Sequence, residues 1–280
     1  MKHAMLITAY TDFQYLLEIT KVYTERFDCY IHVDKKSKMP ADVEKALKEN
    51  SRVVLISEYK VNWGSFNHIL AVVKLLEIAA EKQYDYYHII SANSCMVKSM
   101  QEMEEFFAKN PDRNYIQVND LEQSENPKML EHWYRYYHFC NMINKKNKLG
   151  YYIDYYLTEL QKKFKVRRDV YFRYKGMLYC HLSGGFVAYV RKYLAENSDY
   201  LEKFKYCNIG EEFFFQNIIM NSEFKETVSN GNLIFDKWNE EGKALFLKVD
   251  DYEELIESNC LFARKVGSES EEILQKLRQH

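Results

Sequence analysis

AMLITAYTDFQYLLEITKVYTERFDCYIHVD, residues 4 to 34, sets the fold class. Residues 4 to 9 form a short apolar run. FQYLLEITKVYTERF then has the spacing of an amphipathic helix, and Asp28 to Asp34 is rich in β-formers before a lysine pair. Strand, helix and strand within about thirty residues open a parallel α/β sheet. Ligands of such sheets sit at the carboxyl ends of the strands, so Thr8 to Tyr10 and Asp34 fall on one edge, with Thr8 a candidate nucleotide contact. Asp34 has two readings there: an acceptor for a nucleotide's ribose or base, or an ordinary strand-end turn residue.

Outward from that stretch, residues 41 to 50 read as a helix and Val53 to Ile56 as a strand. Val61-Asn62-Trp63-Gly64-Ser65 precedes the helical pattern HILAVVKLLEIAAEK, with Ser65 as its N-cap. Trp63 either lines a cleft or anchors packing. Tyr86 to Ser91 is another buried strand, and Ser91-Ala92-Asn93-Ser94 is a small polar loop at the same sheet edge. The helix SMQEMEEFFAKN and the strand Tyr115 to Val118 extend the alternation. Ser183-Gly184-Gly185-Phe186 leads into VAYVRKYL, a strand passing into a helix, where two glycines permit a tight bend or a close backbone approach to a ligand.

NIGEEFFFQNIIMNS, residues 208 to 222, carries the densest chemistry. Glu211 and Glu212 follow a turn-like Asn-Ile-Gly and precede an apolar run, which places them in the first turn of a helix. Unpaired N–H groups and the macrodipole favour an anion there, which would keep a carboxylate ready to accept a proton. The alternative is that two acids merely decorate a helix start.

The chain has 280 residues, a formal charge of -2, and only 9 Gly and 3 Pro, so neither overall basicity for nucleic acid nor long linkers are present. Its six cysteines lack any CxxC or Cys/His zinc spacing. With no signal peptide and no apolar stretch of spanning length, a cytoplasmic protein with reduced thiols is expected. Residues 131 to 180 are crowded with aromatics and cations. Lys162, Lys163, Lys165, Arg167, Arg168, Arg173 and Lys175 form a basic run that suits an anionic membrane surface or lipid pyrophosphate, or else a solvated helix face. Interleaved rings also suit carbohydrate; RNA would use similar chemistry, but no RNP motif supports it.

Several stretches together resemble the branching glycosyltransferase family that includes the core 2 and I-branching β-1,6-N-acetylglucosaminyltransferases and the protein xylosyltransferases. They are YIHVDKKS (30 to 37), VNWGSFNHILAVVKLL (61 to 76), YDYYHIISANSCMVKS (84 to 99), SGGFVAYVRKYL (183 to 194), GEEFFFQNIIMNS (210 to 222), FDKW (235 to 238) and LFARK (261 to 265). They occur in the family's order over nearly the whole chain. The resemblance implies a bacterial-type member with a GT-A type, Rossmann-like mixed α/β sheet flanked by helices. It also implies one glycosyltransferase domain over 1–280, with an aromatic and basic helical subregion at about 125–180, and inverting transfer from a UDP-sugar without cofactor or divalent metal. The absence of any Asp-x-Asp triplet agrees.

By the same resemblance Glu212 is the catalytic base. Lys265 contacts the diphosphate with Arg264 beside it, Lys243 stands near the family's second diphosphate cation, and Asp34 binds the nucleotide. Trp238, Arg135 and Phe186 fall on the acceptor side. N-acetylglucosamine is the first expectation for the donor sugar, and a glycan or glycolipid hydroxyl for the acceptor. A peripheral place at the inner face of the plasma membrane follows from the basic run, and no nucleic-acid partner is expected. Two departures stand out: Ala92, Ser94 and Met96 replace a Gly-x-Asp-x-Pro pattern, and Ser183-Gly184 replaces Gly-Ser. They motivate an alternative, a nucleotide- or glycan-binding protein on the same fold with weakened catalysis.

Overall fold

A computed structural model describes residues 1–124 and 127–279. The expected alternation is present: β1 (His3–Ala9), α1 (Phe13–Tyr23), β2 (Asp28–Val33), α2 (Ala41–Glu49), β3 (Val53–Ile56), α3 (Phe66–Ala80) and β4 (Tyr86–Ser91). There follow β5 (Ser94–Met96), α4 (Met100–Lys109), β6 (Asn114–Tyr115), β7 (Asn119–Asp120), α5 (Pro127–Arg135), α6 (Lys148–Lys163), β8 (Tyr174–Lys175) and β9 (Cys180–Ser183). The chain continues through α7 (Gly184–Glu196), α8 (Ser198–Glu202), α9 (Glu211–Met220), β10 (Val228–Ser229), β11 (Ile234–Phe235), α10 (Tyr252–Glu257), β12 (Phe262–Arg264) and α11 (Glu271–Arg278).

The main sheet has seven strands in the order β10-β6-β9-β4-β1-β2-β3, parallel except for β9, which runs antiparallel to both neighbours. It is the expected mixed α/β sheet flanked by helices. A parallel sheet covered on both faces needs strands apolar on both faces, and β1 meets this with Ala4, Met5, Leu6 and Ile7 all buried. Leu6 and Ile89 pack with α3, α7 and α9 on one face; Met5, Ile31 and Ile90 pack with α1, α2 and α4 on the other. Each such side chain contributes roughly 1.5–3 kcal/mol when fully buried.

A small three-stranded sheet, β11-β12-β5, grows from the carboxyl end of β4. The chain turns at Ala92-Asn93 into β5, and β12 pairs antiparallel with it, setting Arg264 opposite Ser94. This pairing carries the C-terminal segment back over the edge where Thr8 and Asp34 end their strands.

Two local expectations are corrected. Helix α1 stops at Tyr23: past Thr24 the bonds tighten, Glu25 N–H donating to the Val22 carbonyl and Arg26 N–H to the Tyr23 carbonyl, while the Thr24 hydroxyl donates to the Thr20 carbonyl. Helix α7 starts at Gly184 with no intervening strand, and Ser183 caps it by accepting from the Phe186 N–H. The close approach at Gly184 is to the sheet, not to a ligand: its N–H donates to the Asp85 carbonyl at 2.7 Å, and a Cβ there would stand 2.4 Å from the Tyr84 carbonyl oxygen. Gly184→Ala should therefore destabilise the fold by roughly 1–3 kcal/mol, read as a lower urea midpoint at unchanged slope. A Cβ on Gly185 would meet only the Phe224 ring, at 3.5 Å, so Gly185→Ala should leave the midpoint near or above the parent's.

All six cysteines are free thiols, and five are buried. Among the described residues no helix is long and apolar enough to cross a membrane.

Candidate active site

The carboxyl edge of β1, β2 and β4 is where the topology gathers reactive groups. Thr8, next to last in β1, lies between His32 and Ser91. Tyr179 immediately precedes the antiparallel strand β9, so it arrives at the same edge. The Arg264 guanidinium lies against the Tyr179 ring, its carbon 4.7 Å from that centroid and 5.7 Å from that of Trp238. Asp236 Oδ2 stands 3.6 Å from Arg264 Nη1 and has no hydrogen-bond partner among the described residues. Arg264 is 9% exposed, and its Nε–H is buried without a hydrogen-bond partner. A buried charged donor left open is costly unless something fills it.

Helix α9 faces this arginine with its first turn. Gly210 is its N-cap and offers no side-chain bond; the Glu212 and Phe213 N–H groups turn back onto the Ile209 and Gly210 carbonyls, so the first turn closes on itself beside two acids. Successive helical residues point about a quarter-turn apart, so the acids diverge. Glu211 is buried, with Oε1 3.3 Å from His68 Nδ1 and Oε2 unpartnered. Glu212 is about a third exposed, and its Oε2 lies 2.5 Å from the Lys175 ammonium. That ammonium also sits 4.7 Å above the Trp133 ring. Burial pushes the Glu212 carboxyl above the usual carboxylate range. Lys175 opposes this, Glu211 adds to it, and Arg264 is close enough to pull it down. Glu212 and Arg264 thus share one electrostatic environment.

The family model for the Core-2/I-branching enzyme matches residues 4–253. The chain belongs to the Core-2/I-branching enzyme family. Arg264 and Lys265 lie beyond the last matched residue of this family member. Among solved structures, S. aureus TarS residues 1–349 in complex with UDP is similar at 10% identity and a TM-score of 0.34, over 41% of this chain and 35% of that one. The same protein in complex with UDP-GlcNAc has 10% identity and a TM-score of 0.33, over 41% of this chain and 34% of that one. The chain thus spans about a third of the length of these TarS structures. No curated protein matches it.

In this Core-2/I-branching chain the remaining sequence candidates are dispersed around the cleft or outside it. The segment after Arg264 crosses the sheet edge: Val266 N–H donates to the Asn93 carbonyl, and Ser268 donates to the Asp12 carboxylate through N–H and hydroxyl. Lys265 in this segment is half-buried with its ammonium 4.6 Å over the Phe246 ring. Asp34 is buried and engaged with protein: Oδ1 accepts from the N–H groups of Lys36 and Val61, and Oδ2 lies 3.5 Å from Lys36 Nζ. It tethers the 61–65 loop, whose Gly64 carbonyl accepts from Ile209 N–H just before α9. Trp238 and Trp63 are both half-exposed. Arg135, at the end of α5, has Nε 3.6 Å from Glu131 Oε2.

Two candidates stand apart from the Arg264 cluster. Phe186 is fully buried, packed on Tyr189 and Phe224, because the helix starting at Gly184 turns that ring inward. Lys243 is 73% exposed and paired with Glu241 at 2.5 Å, on a loop closed by the Trp238–Ala244 bridge. Its ammonium faces solvent, so nothing brings it to the Arg264 cluster. Sequence reasoning missed Lys175 as the partner of Glu212 and Tyr179 as the support of Arg264.

Proposed function

We propose that this chain is an inverting, metal-independent glycosyltransferase that moves a sugar from a UDP-sugar to a hydroxyl of a glycan or glycolipid, with N-acetylglucosamine as the leading donor sugar. The observation that carries this reading is the pair formed by Glu212 and Arg264: a carboxylate held above its ordinary pKa range faces a buried guanidinium with an unpartnered N–H. A carboxylate whose pKa burial raises is a better proton acceptor than an ordinary one and can take a hydroxyl proton. A buried cation with a free donor suits the charge that grows on a departing diphosphate.

The step balances on these groups. The acceptor oxygen bonds to the anomeric carbon as its proton passes to Glu212, and the bond from that carbon to the diphosphate oxygen breaks with its electron pair leaving on UDP. Arg264 and Lys265 supply the positive charge behind the leaving group. Glu211 is turned to His68, so a single carboxylate faces the cleft, which suits one displacement and inversion. Trp238 and Trp63 offer flat apolar faces to sugar rings. The name of TarS in complex with UDP-GlcNAc accords with the donor class but carries no weight at that similarity. One observation favours a binding-only protein instead: Lys175 occupies Glu212 at 2.5 Å.

Thermal shift with a panel of UDP-sugars in EDTA tests the donor reading. A true donor at one hundred times its Kd should stabilise the fold by about 2.7 kcal/mol, and the shift should survive chelation. Stabilisation that disappears with EDTA would remove the metal-independent reading, and no shift with any UDP compound would remove the donor class. UDP binding without turnover of any donor would favour the binding-only protein.

A further inference from the structure

Helix α6 is inside out. The residues it buries are Gly150, Asp154 and Thr158, a narrow polar stripe that meets His138 and Lys145 through the Asp154 carboxylate. Its apolar residues keep helical spacing but point away from the protein: Leu149, Tyr152, Ile153, Tyr156 and Leu160 fall at i, i+3, i+4, i+7 and i+11. All five are exposed, Leu149 to 72% and Tyr156 to 63%. A stripe of that periodicity normally faces a core, and here it faces outward.

The charge around the stripe is predominantly basic, although Glu159 pairs with Lys162 at 2.6 Å and Asp169 is exposed beyond Arg167. Lys146 and Lys148 are exposed at its start, and Lys162, Lys163, Lys165 and Arg167 at its end, on a chain whose formal charge is -2. The basic run expected from the sequence is therefore divided. Arg168 is buried on the carbonyls of Tyr134 and Lys203, Arg173 forks onto Asp120, and Lys175 belongs to Glu212. What remains outside is the part that rims α6. Beside it, between α6 and the 137–139 segment, lies an apolar hollow of about 280 Å³ lined in part by Phe139, Leu157, Phe164 and Val166.

We propose that this face of α6 docks on an anionic lipid bilayer. Tyrosines suit the headgroup level, leucine and isoleucine the acyl boundary, and lysines at both ends the anionic surface. Charge complementarity selects this occupant over a second copy of the chain, because two copies meeting through the stripe would bring the same cationic rims together. The surface adjoins the cleft: the loop before α6 carries Asn141, whose side chain accepts from Asn67 N–H, and Lys146, whose ammonium lies 5.2 Å over the Tyr10 ring. Docking would set the carboxyl edge of the sheet near the lipid surface. The inference stands on surface chemistry and does not depend on the transferase reading.

Co-sedimentation with vesicles of phosphatidylcholine containing phosphatidylglycerol, against phosphatidylcholine alone, tests it. The chain should pellet with the anionic vesicles and be released by salt. Lys162→Gln with Lys163→Gln should weaken binding roughly fivefold for each charge removed. Tyr152→Ser with Tyr156→Ser should weaken it at low salt, and far-UV circular dichroism should show both variants folded. Equal pelleting with neutral vesicles, no pelleting with either, or full binding by the folded variants would each overturn the proposal. So would a concentration-dependent dimer abolished by the tyrosine changes, which would assign the face to a second copy.

Discussion

Glu212→Gln is expected to lower the rate of sugar transfer by about a hundredfold or more while leaving UDP affinity nearly unchanged. The amide keeps the shape of the carboxylate and removes its capacity to take a proton, and a hundredfold is about 2.7 kcal/mol of barrier. The pH profile carries the sharper signature. A base must be deprotonated to act, so kcat/KM should fall on the acid side through the Glu212 pKa, which burial holds above the ordinary carboxylate value. Lys175 opposes that rise, so Lys175→Met should move the acid limb to higher pH, whereas a purely structural lysine would leave the limb in place. Glu211→Gln is the contrast, because that carboxylate points to His68 and should leave most turnover intact. A Glu212→Gln enzyme within a few-fold of the parent rate would end the assignment.

The first half of the sheet was legible because its signals are local. The runs 4–9, 28–34, 53–56 and 86–91 are apolar and separated by helical periodicities, and parallel pairing of β1 with β2 and β4 follows from short crossovers. The antiparallel insertion of β9 between β4 and β6 was not legible, since the registry of Tyr86 with Ser183 joins residues nearly a hundred positions apart and leaves no trace in either run. The site divides in the same way. Glu212 at a helix start could be read from the turn before it and the apolar face after it. Lys175 looked like one more cation in a basic run, because its distinction comes only from meeting Glu212 and Trp133 in space. Phe186 came to the acceptor side only through the resemblance; the helix begun at Gly184 turns that ring into the core.

Acid should unfold this protein well above the carboxylate range, and the reason is a buried chain of imidazoles. His3 Nδ1 lies 2.9 Å from His88 Nε2, and His88 Nδ1 lies 3.0 Å from His181 Nδ1. All three are at most 2% exposed and are packed among Phe107, Tyr86 and Phe262. Burial is the main force lowering their pKa values, to about 4 for His3, about 3 for His181 and well below the usual value for His88, where the neighbouring imidazoles add to it. In the unfolded chain each would titrate near about 6.5. Between about 6.5 and those lowered values the unfolded state binds protons that the folded state refuses. Stability is therefore complete above about pH 6.5 and declines as pH falls, by about 1.4 kcal/mol per pH unit for each histidine and about 4 for the three. Against a typical stability of about 5–15 kcal/mol, one to two pH units exhaust much of it. Urea midpoints should thus drop steeply from pH 6.5 toward pH 5. His88→Leu should lower stability at pH 7.5, because it strands the His3 and His181 nitrogens, yet give a shallower acid dependence. A midpoint that stays flat down to pH 5 would mean that a proton can be accommodated inside this cluster, and the imidazole chain would then have to be charged in the folded protein.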